Sequence, residues 1–276
     1  MKHKIKVNLT ANRLEDEGAE ILGDFLKRDK NVELLKVHHV GFSSQGQSRI
    51  FESLEFNQTL KSLSIDIYSE SELNSLIKYV RGNVSLTKIS LLRLENFYNV
   101  PELFSVLTSK NIKTLCLNWA KKEIIEHLFP NLSSSNLTYL NLRGLYFGDS
   151  GIEKLLQSLG SHTKMRRLHL YCNELTELGG NLILEFLQKN DTLTRIDLLE
   201  RLEWSEDEEL TFNEVGEETH QKILSCLERN NRLQELNGRA CIMVLILQRR
   251  NDGNIVSRLP RRLLIYLLPF IHPIIE

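Results

Sequence analysis

The chain has 276 residues and a mass of 32.0 kDa; 41% of it is hydrophobic and 26% charged, with 35 Lys+Arg against 36 Asp+Glu. That composition supplies a packed core and excludes an intrinsically disordered chain. A formal net charge of −1 gives no global field toward nucleic acid or an anionic membrane.

The first residues are basic, but no apolar run of signal-peptide length follows them. The longest apolar runs, Ala240–Leu247 and Leu263–Ile271, fall well short of the roughly 20 residues that a spanning helix needs. Cys116, Cys172, Cys226 and Cys241 contain no Cys-x-x-Cys pair and no zinc-type spacing, so free thiols in a reducing compartment are expected.

Along the chain one unit recurs, an apolar residue followed three residues later by an apolar-x-apolar triplet. A frayed first copy contains Val7 and Leu9. Fuller copies follow at Val32–Val37, Leu60–Ile65, Leu86–Leu91, Ile112–Leu117, Leu137–Leu142, Met165–Leu170 and Leu193–Leu198, with a partial last copy at Leu233–Leu236. The central apolar residues lie at 7, 35, 63, 89, 115, 140, 168, 196 and 236. Their intervals are 28, 28, 26, 26, 25, 28, 28 and 40, so the last contains an insertion.

Each unit has two periods. The triplet alternates, which predicts a strand with one buried face. The residues after it take helical spacing, as in Gly18…Ile21-Leu22…Phe25-Leu26, Gly151-Ile152…Leu155-Leu156…Leu159 and Gly179…Ile183-Leu184…Leu187. One strand and one helix cannot bury their own apolar faces, so neighbouring units must stack.

The copies Val7-x-Leu9-x-x-Asn12-x-Leu14-x-x-x-Gly18 and Leu168-x-Leu170-x-x-Asn173-x-Leu175-x-x-x-Gly179 resemble leucine-rich repeats of the ribonuclease-inhibitor-like subtype. The resemblance runs from Ile5 to Leu236 and is specific in Ile5–Gly18 and Leu137–Leu198. It implies an α/β leucine-rich-repeat solenoid, a horseshoe with a parallel concave β-sheet, convex α-helices and a helical C-terminal cap. It also implies that the Asn side chains bond backbone in the turn after each strand, forming a ladder. The other copies depart from the pattern, with Val40, Tyr68, Leu94, Ala120 and Leu145 at the Asn position. The solenoid is expected over residues 1–238 and a helical cap or small extension over 239–276.

In such a solenoid the residues between the buried leucines point out of the concave face. There the basic residues are Lys6, Lys36, Lys61, Lys88, Arg93, Lys113, Arg143, Arg166, Arg167 and Arg195, against the acidic Glu33, Asp66, Asp197 and Glu200, a balance of +6. Trp119, Tyr139, His169 and Tyr171 come from three successive units beside Arg143, Arg167 and Arg195. Aromatic residues and Arg are the types enriched in interface hot spots. These seven residues form the expected partner-binding patch.

Two segments stand outside the repeat. Glu200–Glu218 carries nine acidic residues and one basic, with Trp204 inside it, and reads as a solvated loop or an acidic flap. Ala240–Glu276 contains two apolar stretches around the turn signal Asn251-Asp-Gly-Asn. They read as a cap on the last repeat, with membrane-surface docking as a rival. The run from Leu259 to Ile271 also resembles the opening helix of an F-box or SOCS box, which would make the chain a ubiquitin-ligase adaptor.

No phosphate loop, nucleophile elbow or His-Glu-x-x-His motif is present, and adjacent His38 and His39 do not converge as metal ligands would. No cysteine matches the Cys-x-Asp nucleophile of ligase-type bacterial effectors. The expectation is a non-enzymatic, monomeric interaction protein without cofactor or metal. It binds a protein rather than nucleic acid, in the cytoplasm or, for a secreted effector, in a host cytoplasm. Regulation of a GTPase, as in Ran GTPase-activating proteins of similar repeat type, is the alternative, resting on fold analogy.

Overall fold

The computed structural model describes residues 4–160, 162–199 and 213–249, with 239–249 as backbone only. Strand and helix alternate: β1 (Ile5–Asn8), α1 (Glu15–Arg28), β2 (Val32–Val37), α2 (Ser44–Leu54), β3 (Ser62–Asp66), α3 (Glu70–Gly82), β4 (Lys88–Leu92) and α4 (Val100–Ser109). They continue as β5 (Thr114–Asn118), a 3-10 turn (Lys122–Ile124), α5 (Ile125–Leu132), β6 (Tyr139–Asn141), α6 (Gly148–Leu159), β7 (Arg167–His169), α7 (Glu177–Lys189), β8 (Arg195–Asp197) and α8 (Glu217–Arg249).

The eight strands form one sheet in chain order, every pair parallel. Its register joins Val7, Leu35, Leu63, Ile89, Leu115, Leu140, Leu168 and Ile196 into a single row across the sheet. These are the central apolar residues of the repeat, so a spacing of 25–28 residues becomes one lateral step of about 4.8 Å. The row is the spine of the core: Leu35, Leu63, Ile89, Leu115 and Leu140 are fully buried, and Leu168 is 1% exposed.

The helices close the other side of this core. In α6 the buried side is Gly151, Ile152, Leu155, Leu156 and Leu159, the predicted face. The first helix departs from expectation. Leu22 and Leu26 of α1 are buried, but Ile21 is 68% exposed and Phe25 lies at the surface. Among the described residues α1 packs on one neighbouring helix, α2, and the outer half of its apolar stripe finds no cover there.

Two devices recur where units join. A carboxylate in the first turn of one helix caps the start of the following one. Asp16 accepts the Ser43 N–H and hydroxyl, Asp149 does the same for Thr176, and Glu70 accepts the Tyr98 and Asn99 N–H groups. Helix starts carry unpaired N–H donors and a partial positive charge, so each acid meets two needs. At the opposite end, Asn57, Asn83 and Asn190 accept N–H groups two and three residues on, turning the chain from helix into strand. The amides of Asn57 and Asn83 also donate back to the Asp29 and Asn57 carbonyls of the preceding unit.

The partial ninth copy is corrected. Leu233–Leu236 lies inside α8, and Leu236 is 51% exposed. Asn230 stands where the helix-ending asparagine is due, but its amide donates to the Asn190 and Leu193 carbonyls and the helix runs on. The first turns of α8 pack against α7 through Ile223 and Leu227, which are buried. The residue 238/239 division falls within α8; residues 250–276, including Leu259–Ile271, lie outside the described residues, as do Glu200–Phe212 with Trp204. Cys116 and Cys226 are free thiols. Among the described residues no helix is long and apolar enough to cross a membrane. The architecture is a leucine-rich-repeat solenoid.

Candidate interaction surface

Alternation along each strand sends every second side chain out of the concave face. The register then sets these residues in rows. Tyr139 of β6 stands beside Arg167 of β7, and Arg167 beside Arg195 of β8. One row further along the strands, Asn141 stands beside His169 and His169 beside Asp197. Arg143 and Tyr171 follow at the strand ends. Four of the seven expected residues thus share three neighbouring strands, and Arg143 and Tyr171 lie two residues past the ends of β6 and β7.

Their roles differ. Arg167 and Arg195 are exposed, while Tyr139, His169 and Arg143 are half-buried. Arg195 bonds its own strand neighbour Asp197 at 2.7 Å, which holds the guanidinium firmly protonated and removes part of its free charge. Tyr171, expected to face outward, is 1% exposed. The Arg143 guanidinium carbon lies 5.0 Å from its ring centre and 5.6 Å from that of Trp119. Arg143 therefore spans two rings, and Tyr171 supports the surface from beneath. Such cation–ring contacts stabilise by about 0.5–2 kcal/mol, more where water is excluded.

Trp119 follows β5 in a left-handed conformation (φ 58°), at the edge of the sheet where the chain turns toward the helices. Its ring is 6.1 Å from that of Tyr146, inclined at 44°. Its place depends on Gly144 of the next unit. A Cβ at Gly144 would fall 2.4 Å from the indole Cε3, and Gly144 itself has φ 70°. At the same position Ala11, His39, Arg93, Trp119 and Cys172 tolerate positive φ, so the ring contact is the tighter demand. Gly144→Ala is expected to cost about 1–2 kcal/mol for the left-handed backbone alone and to swing the indole outward. Tryptophan emission in a Trp204→Phe background checks this, with a red shift as the expected result.

The floor of the face between β2 and β5 is small and polar: Ser64, Ser90 and Cys116 are buried. His38 bridges Asp66, at 3.1 Å through Nδ1, and the Ser64 hydroxyl through Nε2, while Asp66 also accepts the His39 N–H at 2.7 Å. Sequence reading set Asp66 among the exposed acids; the structure buries it at 3% exposure against this pair. Burial opposes its ionisation, but the His38 and His39 bonds outweigh that and hold the carboxyl below its ordinary range. A carboxyl lowered on folding adds stability above its unfolded pKa of about 3.9, and that stability is lost as pH falls through the lower folded value. Burial also pushes the Cys116 thiol up, so it stays protonated at neutral pH. Among the described residues no three His, Cys, Asp or Glu side chains converge as a metal site requires.

The asparagine ladder is shorter than the resemblance implies. Asn12 reaches only its own turn, donating to the Leu9 and Thr10 carbonyls. Asn173, fully buried, bonds its own turn and the preceding unit. The missed rung is Asn213. It donates to the Leu170 and Leu198 carbonyls and accepts the Asn173 and Leu175 N–H groups. The acidic insertion displaced it by about a dozen positions, so a fixed-spacing search passes over it. In the other units the slot is filled by buried Val40, Leu94, Ala120 and Leu145. In the third unit Ile67 is buried and Tyr68 turns out, 51% exposed.

No protein-family model matches the chain, and no curated protein matches it. Solved structures do. A Bacteroides fragilis protein aligns with 68% of this chain at 17% identity and a TM-score of 0.45, and the aligned part spans 62% of that protein. The tropomodulin C-terminal domain of Caenorhabditis elegans aligns with 79% of this chain and 96% of its own length, at 12% identity and a TM-score of 0.32. Rad7, from the yeast complex of Rad7 and Elc1, aligns with 78% of this chain and 82% of its own, at 15% identity and a TM-score of 0.32.

Proposed function

We propose that the chain is a non-enzymatic, cytoplasmic interaction module of the ribonuclease-inhibitor-like subtype, working as a monomer without cofactor. It binds a protein partner through the concave surface of β6–β8 and the adjoining Trp119. The observation that carries this reading is the juxtaposition of Tyr139, Arg167, His169 and Arg195 on three adjacent strands, with Arg143 just past the end of β6 and Trp119 at their edge. A rigid sheet presents them with little ordering cost, because their backbone is already fixed in the ladder. The Asp66–His38–Ser64 chain resembles a nucleophile relay, but Ser64 sits mid-strand, where flanking N–H groups serve the sheet rather than an oxyanion. Burial raises the Cys116 thiol, which disfavours the thiolate that a nucleophile needs.

Affinity capture from cytosol with variant baits tests this. Trp119→Ala and Arg167→Glu are each expected to reduce capture of the main partner about thirtyfold, the effect of losing roughly 2 kcal/mol. Glu153→Lys and Lys189→Glu, on the helices, are expected to leave it unchanged. Loss of the partner with the helix variants, and retention with the sheet variants, would move the binding surface to the convex side.

A further inference from the structure

Charge is unevenly distributed along the repeat unit. Between α3 and β7, the four successive segments that lead from a helix into and along a strand, residues 82–92, 109–118, 133–143 and 160–173, contain no Asp or Glu. They contain Lys88, Lys110, Lys113, Arg143, Lys164, Arg166 and Arg167. The segments between them hold six acidic residues, Glu95, Glu102, Glu123, Glu126, Asp149 and Glu153, against four basic ones, Arg93, Lys121, Lys122 and Lys154.

Part of this bias serves the fold. Helix C-termini carry a partial negative charge, and basic residues near them are favourable. Lys110 donates to the Arg81 carbonyl, Lys164 to the Asn136 side chain, and Arg166 to three backbone carbonyls. Lys88, Lys113 and Arg167 are different. They stand exposed at the strand starts and make no ion pair among the described residues. Tyr139, half-buried on β6, stands between Thr114 of β5 and Arg167 of β7; Lys88 and the exposed Arg195 continue this row on either side, and Lys113 adjoins it one residue before Thr114.

We propose that this edge of the concave sheet, from β4 to β8, is a track for an extended acidic segment of the protein partner. Carboxylates of that segment meet Lys88, Lys113 and Arg167, and its chain crosses the Tyr139 ring. The proposal rests on the concave-face reading above and gives the partner its chemistry. Four strand intervals of about 4.8 Å make the track about 19 Å long. At roughly 3.3 Å per residue, an extended chain of about six residues spans it. Its alternate side chains fall about 6.6 Å apart on one side, within reach of the flexible Lys and Arg heads. A long nucleic acid fits less well: the whole chain has net charge −1, acidic residues outnumber basic ones in the segments between the strands, and the track offers one ring for stacking.

The test uses the full chain and three labelled probes in fluorescence anisotropy: an octapeptide of alternating Glu and Ser, its Gln–Ser counterpart, and an eight-nucleotide oligouridylate. The Glu peptide is expected to bind saturably, and the Gln peptide at least tenfold more weakly. Lys113→Glu and Arg167→Glu, with unchanged melting temperature, are each expected to weaken the Glu peptide tenfold or more; Lys189→Glu is expected not to. Equal binding of both peptides, indifference to the two variants, tighter binding of the oligouridylate, or no saturation below about 1 mM would each overturn the track. The peptide result is separable from the parent reading. If Trp119→Ala and Arg167→Glu abolish capture but excess Glu peptide does not compete, the concave surface stands and the acidic track falls.

Discussion

Asn173→Ala is expected to destabilise the protein by about 3 kcal/mol or more, although its side chain is not exposed on the presented surface. Its side chain is fully buried. The amide donates to the Leu170 carbonyl of its own turn and the Leu142 carbonyl of the preceding unit, both at 2.9 Å, and its oxygen accepts the Leu145 N–H at 3.2 Å. Alanine leaves these backbone groups buried without that partner, and each such loss costs about 1–3 kcal/mol. Asn213 also bonds Asn173 through the backbone, so the loss falls where two units join. Asn12→Ala is the internal control. It makes similar bonds in an exposed turn, where water replaces them, and less than about 1 kcal/mol is expected. Urea unfolding of both variants checks the difference. Equal, small effects would mean that Asn173 carries no inter-unit link.

The second large effect belongs to the spine. Leu140→Ala and Leu168→Ala are each expected to cost about 2–5 kcal/mol, because each removes buried methyl groups and leaves a cavity between sheet and helices. The two leucines are register neighbours with 0% and 1% exposure. They touch a shared space, so the double variant is expected to depart from the sum of the single ones. Exposed Leu178→Ala and Leu236→Ala, at 62% and 51% exposure, are expected to cost under about 0.5 kcal/mol. A loss below about 1 kcal/mol at both core leucines would mean that the repeat register is misplaced.

The residues that carried the fold in the sequence were those with a period. Val7 through Ile196 could be placed on one row because each lateral step consumes one repeat. The end units were less legible. Leu233–Leu236 matches the apolar pattern, but nothing there ends the helix, and α8 continues through it. Asn213 was hidden by the insertion that precedes it.

At the binding surface, alternation and register predicted which residues share a face but not how deeply each sits. Tyr171 lies below Arg143, and Asp66 lies in a pair with His38; both depend on side-chain contacts between units, which spacing does not encode. Gly144 gave no signal as a single glycine. Its reason is the Trp119 ring, 25 residues earlier in sequence.

The central claim is that the partner sits on the sheet and not on the helices. Hydroxyl-radical footprinting of the chain, alone and with the captured partner, measures this at individual side chains. Tyr139 and Trp119 report on the concave surface; Tyr98 (90% exposed) and Phe56 (63% exposed), both outside the strands, report on the rest. Protection of Tyr139 and Trp119, with Tyr98 and Phe56 oxidised as before, is the predicted result. Protection of Tyr98 or Phe56, with Tyr139 and Trp119 unchanged, would contradict it.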